Sequence, residues 1–236
     1  MKKLLSLILT LTLLLISGGI AASAETTGEN TVLYSAAEIT DVDALIQRSL
    51  AGVDELKENT GYELSVSSFD TAPAASTFSL APSAPQPEET YVTSQLLRSE
   101  LVDGKRIDTY AAKVVRSILP YYGSKTSGEL ISTIYANFDD VNDKMQMVNT
   151  TATITVGGAA RLVMTNGFME RPEYGMITTS SQYSNPGTGT YYLDRCSSGW
   201  IGPMGKLYLR NMLHYDNGSV TKLEFSMKSY GQIIDE

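Results

Sequence analysis

The chain holds one cysteine, Cys196, and one histidine, His214, so nucleophilic catalysis has to be built from these two side chains or from carboxylates. A thiol becomes a nucleophile when a base or a positive environment lowers its pKa, and His214, 18 residues on, is the sole imidazole that could do so. Serine catalysis would need the same imidazole, and no Gly-x-Ser-x-Gly elbow is present. Glu170 and Glu173 pose as a glycosidase pair, but they flank Arg171-Pro172 and nothing in the spacing fixes their separation. One Cys and one His cannot assemble a structural zinc site from nitrogen and sulfur ligands. Asp139-Asp140-Val141-Asn142-Asp143 is acidic enough to suggest a calcium loop. It lacks the alternating oxygen ligands, central glycine and closing Glu of an EF-hand, and reads as a solvated acidic turn. Without a Gly-x-Gly-x-x-Gly or Walker loop, nucleotide cofactors have no support either. The sequence therefore assigns no catalytic, cofactor-binding or metal-ligating residue.

Around the thiol, Asp194-Arg195-Cys196-Ser197-Ser198-Gly199-Trp200 resembles, over fewer than ten residues, the nucleophile motif of NlpC/P60 and CHAP cell-wall hydrolases. That resemblance implies a thiol carried at the start of a helix and activated by a histidine. The chain departs from the pattern at Gly199, Gly202 and Pro203, which oppose the helix. No second histidine is present. A Cys196–His214 pair can still meet through strand pairing, so a secreted hydrolase based on it, or on carboxylates, remains the alternative to a non-enzymatic reading.

The elements that must position these residues start after a leader. Lys2 and Lys3, an apolar run from Leu4 to Ile16 and Ala22-Ser23-Ala24 form a signal peptide whose cleavage after Ala24 leaves Glu25 first. No Cys stands at the cleavage point, no second long apolar segment follows, and Ile233-Ile234-Asp235-Glu236 is no hydrophobic tail. The expectation is a secreted protein with no stable membrane anchor, and the lysine-led leader and scarce cysteine suit a bacterial exporter. Charge is unevenly distributed. Residues 25–90 carry twelve acidic side chains against Arg48 and Lys57, whereas residues 91–236 carry fourteen of each sign. Such an acidic chain gains nothing from phosphate backbones, so no nucleic acid partner is expected.

Residues 25–69 read as an acidic N-terminal arm with one amphipathic helix over 39–58. Ile39, Val42, Ile46, Leu50, Val53 and Leu56 recur at helical spacing, Thr40 offers a cap and Gly61 a stop. Tyr62, Leu64 and Val66 then alternate as a strand does. Residues 70–90, with Pro73, Pro82, Pro85 and Pro87 among Ala, Ser and Thr, read as a linker. Residues 91–236 read as a separate, mainly β domain, an antiparallel β-sandwich with a barrel as second choice. Three hairpins carry that reading. Leu207–Tyr215 and Thr221–Met227 flank Asn217-Gly218, Thr150–Val156 and Ala159–Thr165 flank Gly157-Gly158, and Gln95–Val102 and Lys105–Arg116 flank Asp103-Gly104. Gly175–Tyr183 and Thr188–Leu193 are further strands about an Asn185-Pro186-Gly187 turn, and Leu130, Ile134, Phe138 and Val141 suggest a short helix after Ser127.

Fourteen tyrosines against five phenylalanines supply the one positive hint. Tyrosine offers contact area with a polar tip, and Tyr174, Tyr183, Tyr191, Tyr192, Tyr208, Tyr215 and Tyr230 gather in the second half. The reading is a non-enzymatic extracellular binding protein for a protein or glycan. The hydrolase is the alternative. A membrane-active protein comes third, because the Gly157-Gly158 hairpin is shorter than the ~9–11 residues per strand that spanning needs.

Overall fold

The computed structural model describes residues 26–27, 30–71, 89–118, 128–154, 160–171, 175–178, 183–187, 189–193, 200–202, 205–215 and 219–229. In chain order the elements are β1 (Thr26–Thr27), β2 (Asn30–Ser35), α1 (Val42–Leu50), α2 (Glu55–Thr60), β3 (Tyr62–Thr71), β4 (Thr90–Val102), β5 (Lys105–Ile118), β6 (Gly128–Asp139) and β7 (Lys144–Ile154). They continue with β8 (Ala160–Arg171), β9 (Gly175–Thr178), β10 (Tyr183–Gly187), β11 (Gly189–Leu193), β12 (Lys206–Tyr215) and β13 (Val220–Ser229). The strands form two antiparallel sheets in a sandwich-like arrangement that does not close into a barrel. Sheet A runs β1-β2-β4-β5-β6-β7-β11. Sheet B runs β10-β8-β12-β13-β3, with β9 also on β8.

Alternation builds the interior. On β12, Leu207, Leu209, Asn211 and Leu213 are buried while Tyr208, Arg210, Met212 and His214 lie on the outer face. One apolar cluster includes Leu56, Tyr62, Tyr110, Ile134, Phe138, Leu209 and Phe225; a smaller one includes Ile118, Leu130, Leu162, Leu213 and Leu223. Asn211 also faces inward, and its Nδ2 donates to Ser132 Oγ at 2.7 Å across the sheets.

Both flanks of the Asn217-Gly218 turn pair as expected, from Lys206↔Lys228 to His214↔Val220; residues 216–218 lie outside the described residues. At Asp103 (φ 50°) and Gly104 (φ 74°) both turn residues take positive φ, as a type I′ hairpin requires.

Four sequence expectations are corrected. The segment from Leu130 to Val141 is not a helix: Leu130, Ile134 and Phe138 lie on β6, and Val141 is exposed in the turn beyond it. Its spacing of four residues is also a multiple of the strand period, and Leu130, Ser132, Ile134, Ala136 and Phe138 all point inward. The Gly157-Gly158 hairpin does not form, because β7 joins sheet A and β8 joins sheet B. Alternation fixes which face is buried, not which strand is the neighbour. Asn185-Pro186-Gly187 lies within β10, where the register on β8 shifts between Ser184 and Gly187, a place an edge strand tolerates proline. The single helix over 39–58 is two. Gly52 at φ 71° breaks it, and Val53 N–H donates back to the Arg48 carbonyl in a Schellman closure. Asp41 rather than Thr40 caps α1, Asp54 caps α2, and Gly61 ends α2. The apolar stripe moves with the break: Leu45 and Leu56 are buried, whereas Leu50 is 66 % exposed.

The arm is also not separate from the sandwich. β2 pairs with β4, β3 pairs along its whole length with β13, and Leu56 and Tyr62 belong to the larger core cluster. Residues 36–39 lie across the outer face of sheet A. Ala36 N–H donates to the Leu97 carbonyl at 2.9 Å, and Lys113 Nζ meets Glu38 and the Ile39 carbonyl at 2.6 Å each. Of the expected linker, residues 72–88 lie outside the described residues.

Because both halves share one core, a protease site engineered within residues 72–88 should, once cut, give two fragments that co-elute on gel filtration and unfold together. Residues 89–236 expressed alone should lack a cooperative melt; a stable, cooperatively melting fragment would restore the two-part organisation read from composition.

Candidate functional site

The candidate catalytic residues do not converge among the described residues. His214 is half-buried on the outer face of sheet B, its backbone in register with Arg161 and Val220. Cys196 and Glu173 lie outside the described residues, as do the leader and Tyr174. Glu170, on β8, accepts a hydrogen bond from the Tyr208 hydroxyl and lies 3.7 Å from Lys206 Nζ.

Asp139–Asp143 forms the connection between β6 and β7. Asp139 accepts from Asn142 N–H at 3.1 Å and from Asn142 Nδ2 at 2.6 Å. Burial works to raise the pKa of this carboxyl, but the Asn142 hydrogen bonds and nearby Lys105 prevail and hold it below its ordinary value. Asp139, Asp140 and Asp143 of this connection line a polar cleft of about 270 Å³. Asn59, Thr60, Tyr62, Arg106, Asp108 and Phe138 also line it. Arg106 and Lys144 stand there against Asp108, Asp139, Asp140 and Asp143, so the cleft is acidic. Arg106 Nε lies 2.9 Å from Asp108, and the Tyr62 hydroxyl donates to Asp143 at 3.0 Å. Among the described residues no three His, Cys, Asp or Glu side chains are placed to hold a metal ion.

Tyr110 stands in the core edge-on to Phe138, ring centroids 5.5 Å apart. Its hydroxyl is fully buried without a hydrogen-bond partner of good geometry. Burial pushes its pKa up to about 12, an effect only partly offset by neighbouring Asn59.

The outer face of sheet B brings together residues that the tyrosine count only hinted at. Register places Phe168, Tyr208, Ser226 and Ser65 in one cross-strand row and Asn166, Arg210, Glu224 and Ser67 in the next. Arg210 is held flat, with Nε and Nη2 at 3.0 and 2.7 Å from Glu224 and the guanidinium carbon 4.7 Å from the Phe168 ring centroid. Burial and the Glu170 carboxylate both raise the Tyr208 hydroxyl pKa. Phe69 is 57 % exposed at the margin, with Lys222 Nζ 5.4 Å from its ring centroid. Sequence reasoning missed Phe168, Arg210 and Glu224, since alternation shows that they point outward but not that three strands align them.

No protein-family model matches this sequence, no curated protein matches it, and no solved structure matches it.

Tyr110 gives a test of the core beneath the cleft. Below pH 10 the hydroxyl is protonated in both folded and unfolded chains, so its full contribution is present there. As pH rises from 10.0, the ordinary value, to about 12, the unfolded chain ionises first. The fold then loses about 2–3 kcal/mol. Tyr110→Phe should abolish this part of the alkaline decline in urea unfolding and leave neutral-pH stability equal or about 1 kcal/mol higher. A clear loss at neutral pH would mean the hydroxyl has a partner.

Proposed function

We propose that this chain is an exported, non-enzymatic protein that binds a partner protein through the outer face of sheet B. One observation carries the reading: the two outer faces are treated differently. That of sheet A is crossed by residues 36–39 and has Lys113 and Thr133 buried beneath. That of sheet B, among the described residues, has no element across it and presents Tyr208, Arg210 and Phe69.

Tyrosine and arginine dominate interface hot spots because they bring large area and a directed polar tip at little entropic cost. Here the ordering is prepaid, since Glu224 and Phe168 already hold Arg210 and Glu170 holds Tyr208. Export rests on the leader at residues 1–24. The hydrolase alternative gains no support from the geometry, because His214 faces outward without a carboxylate hydrogen bond among the described residues.

A photoreactive benzoylphenylalanine at position 208 of the exported chain should trap a discrete polypeptide adduct in the native culture, and the same probe at the covered position 133 should not. Tyr208→Ala and Arg210→Ala should each weaken capture by ~2 kcal/mol or more. Cys196→Ser and His214→Ala should leave it unchanged. Failure to cross-link, with Tyr208-dependent retention on a glycan array, would replace the protein partner by a glycan. Loss of a hydrolytic activity in folded Cys196→Ser would overturn the reading.

A further inference from the structure

A polar layer divides the interior of the sandwich. On β12, Asn211 lies between Leu209 of the larger apolar cluster and Leu213 of the smaller one; on β6, Ser132 lies between Ile134 and Leu130 in the same way. Two threonines complete the layer. Thr165 on β8 is the register partner of Asn211, and Thr150 on β7 pairs with Ile134, one inward position from Ala152, the partner of Ser132. Cross-strand partners share a face, so both threonines point inward. All four polar residues are fully buried. β6 and β7 are neighbours in sheet A, β12 and β8 are neighbours in sheet B, and these two pairs of strands pack over one another.

Hydrogen bonding within the layer is incomplete. Asn211 Nδ2 donates to Ser132 Oγ at 2.7 Å, which uses only one end of the carboxamide. Asn211 Oδ1, Thr150 Oγ1 and Thr165 Oγ1 are buried, and none of them has a hydrogen-bond partner among the described residues. Each unpaired oxygen opposes folding by the cost of its lost hydration. Buried polar groups in folded proteins are paired with protein or with ordered water, and three unpaired at one level of one core call for the second.

We propose that this layer holds one internal water molecule, bonded to Asn211 Oδ1, Thr150 Oγ1 and Thr165 Oγ1. Donors and acceptors balance. The water donates one hydrogen to Asn211 Oδ1, which can only accept, and the other to one threonine hydroxyl oxygen. It accepts the O–H of the second threonine. Three bonds is the usual number for a buried water. The molecule ties β7 to β8 and β12, strands of opposite sheets that share no backbone ladder across the interior. With apolar side chains on both sides of the layer, it exchanges only when the sheets part. This inference depends on neither outer face and on no bound partner.

Water oxygen-17 magnetic relaxation dispersion on residues 25–236 should detect a long-lived internal water, and the amplitude should fall by one water in the Thr150→Val/Thr165→Val double variant. Each single valine variant should lower the melting temperature by about 2–4 °C, because it takes a partner from the water. If the hydroxyls were simply unpaired, valine would remove a desolvated oxygen at similar shape and raise the melting temperature instead. A crystal structure needs no variant: density should stand within about 3 Å of Asn211 Oδ1 and of both threonine Oγ1 atoms. Valine variants that melt higher with unchanged dispersion, or a well-ordered core without that density, would overturn the proposal.

Discussion

The edge of β4 is the constraint on which the rest of the structure depends. β4 lies inside sheet A, yet its partner β2 covers only Arg98–Val102, leaving the backbone groups of Val92, Ser94 and Leu96 to be satisfied otherwise. A buried backbone group left without a partner costs about 1–3 kcal/mol, so three such groups would consume much of a domain's stability. The Arg48–Glu55 pair resolves two of them. Its contact is 2.6 Å, while Arg48 Nη2 reaches the Ser94 carbonyl at 2.9 Å and Glu55 Oε2 takes Leu96 N–H at 2.8 Å. A partly exposed ion pair by itself adds little. Its role is to present donors and acceptors to a strand edge in fixed positions.

Much of the N-terminal half follows. The Gly52 break lets α1 and α2 turn about β4. Asp54 both caps α2 and accepts from Ser94 Oγ at 2.5 Å, and Ser94 Oγ accepts Leu56 N–H at 2.8 Å. That contact sets Leu56 into the core cluster that also contains Tyr62, so the capping of one edge also seals the side between the sheets. The inward-facing Asn211–Ser132 bond acts in the other direction. A polar pair in the interior is satisfied only when the two sheets stand in one relative position, so it selects register more than it adds stability.

These features explain which parts of the fold were legible. Period-two alternation and positive-φ turn residues are local, so β4–β5 and β12–β13 were readable from Asp103-Gly104 and from the flanks of Asn217-Gly218. Strand partnership across Gly157-Gly158 was not, because β7 and β8 carry the same alternation whether they pair or part. Period four in β6 was ambiguous by arithmetic, and inward Ser132 and Ala136 settle it only once the facing sheet is known. The separation of an acidic arm from a neutral domain failed for a different reason. Charge reports which side chains meet water, and Asp41, Asp43 and Glu58 do so on elements whose other sides are packed against β3 and β4. The candidate site was legible only as an excess of tyrosine, since Arg210, Glu224 and Phe168 become a unit through register.

Among the described residues, the two outer faces differ in what lies across them: residues 36–39 on sheet A and no element on sheet B. Sheet A's outer face contains Lys113, a charge too costly to leave buried without partners; Glu38 and the Ile39 carbonyl supply them, with Tyr135 donating to Glu38 at 2.9 Å. Covering that face therefore required a segment carrying a carboxylate and a free carbonyl, which residues 36–39 provide. On sheet B's outer face two cations are paired within the plane of the sheet, Arg210 with Glu224 and Lys206 with Glu170, while Lys222 lies over the Phe69 ring. This lateral pairing holds Arg210 against the Phe168 ring and the Tyr208 hydroxyl against Glu170, so both side chains keep fixed positions on the outer face.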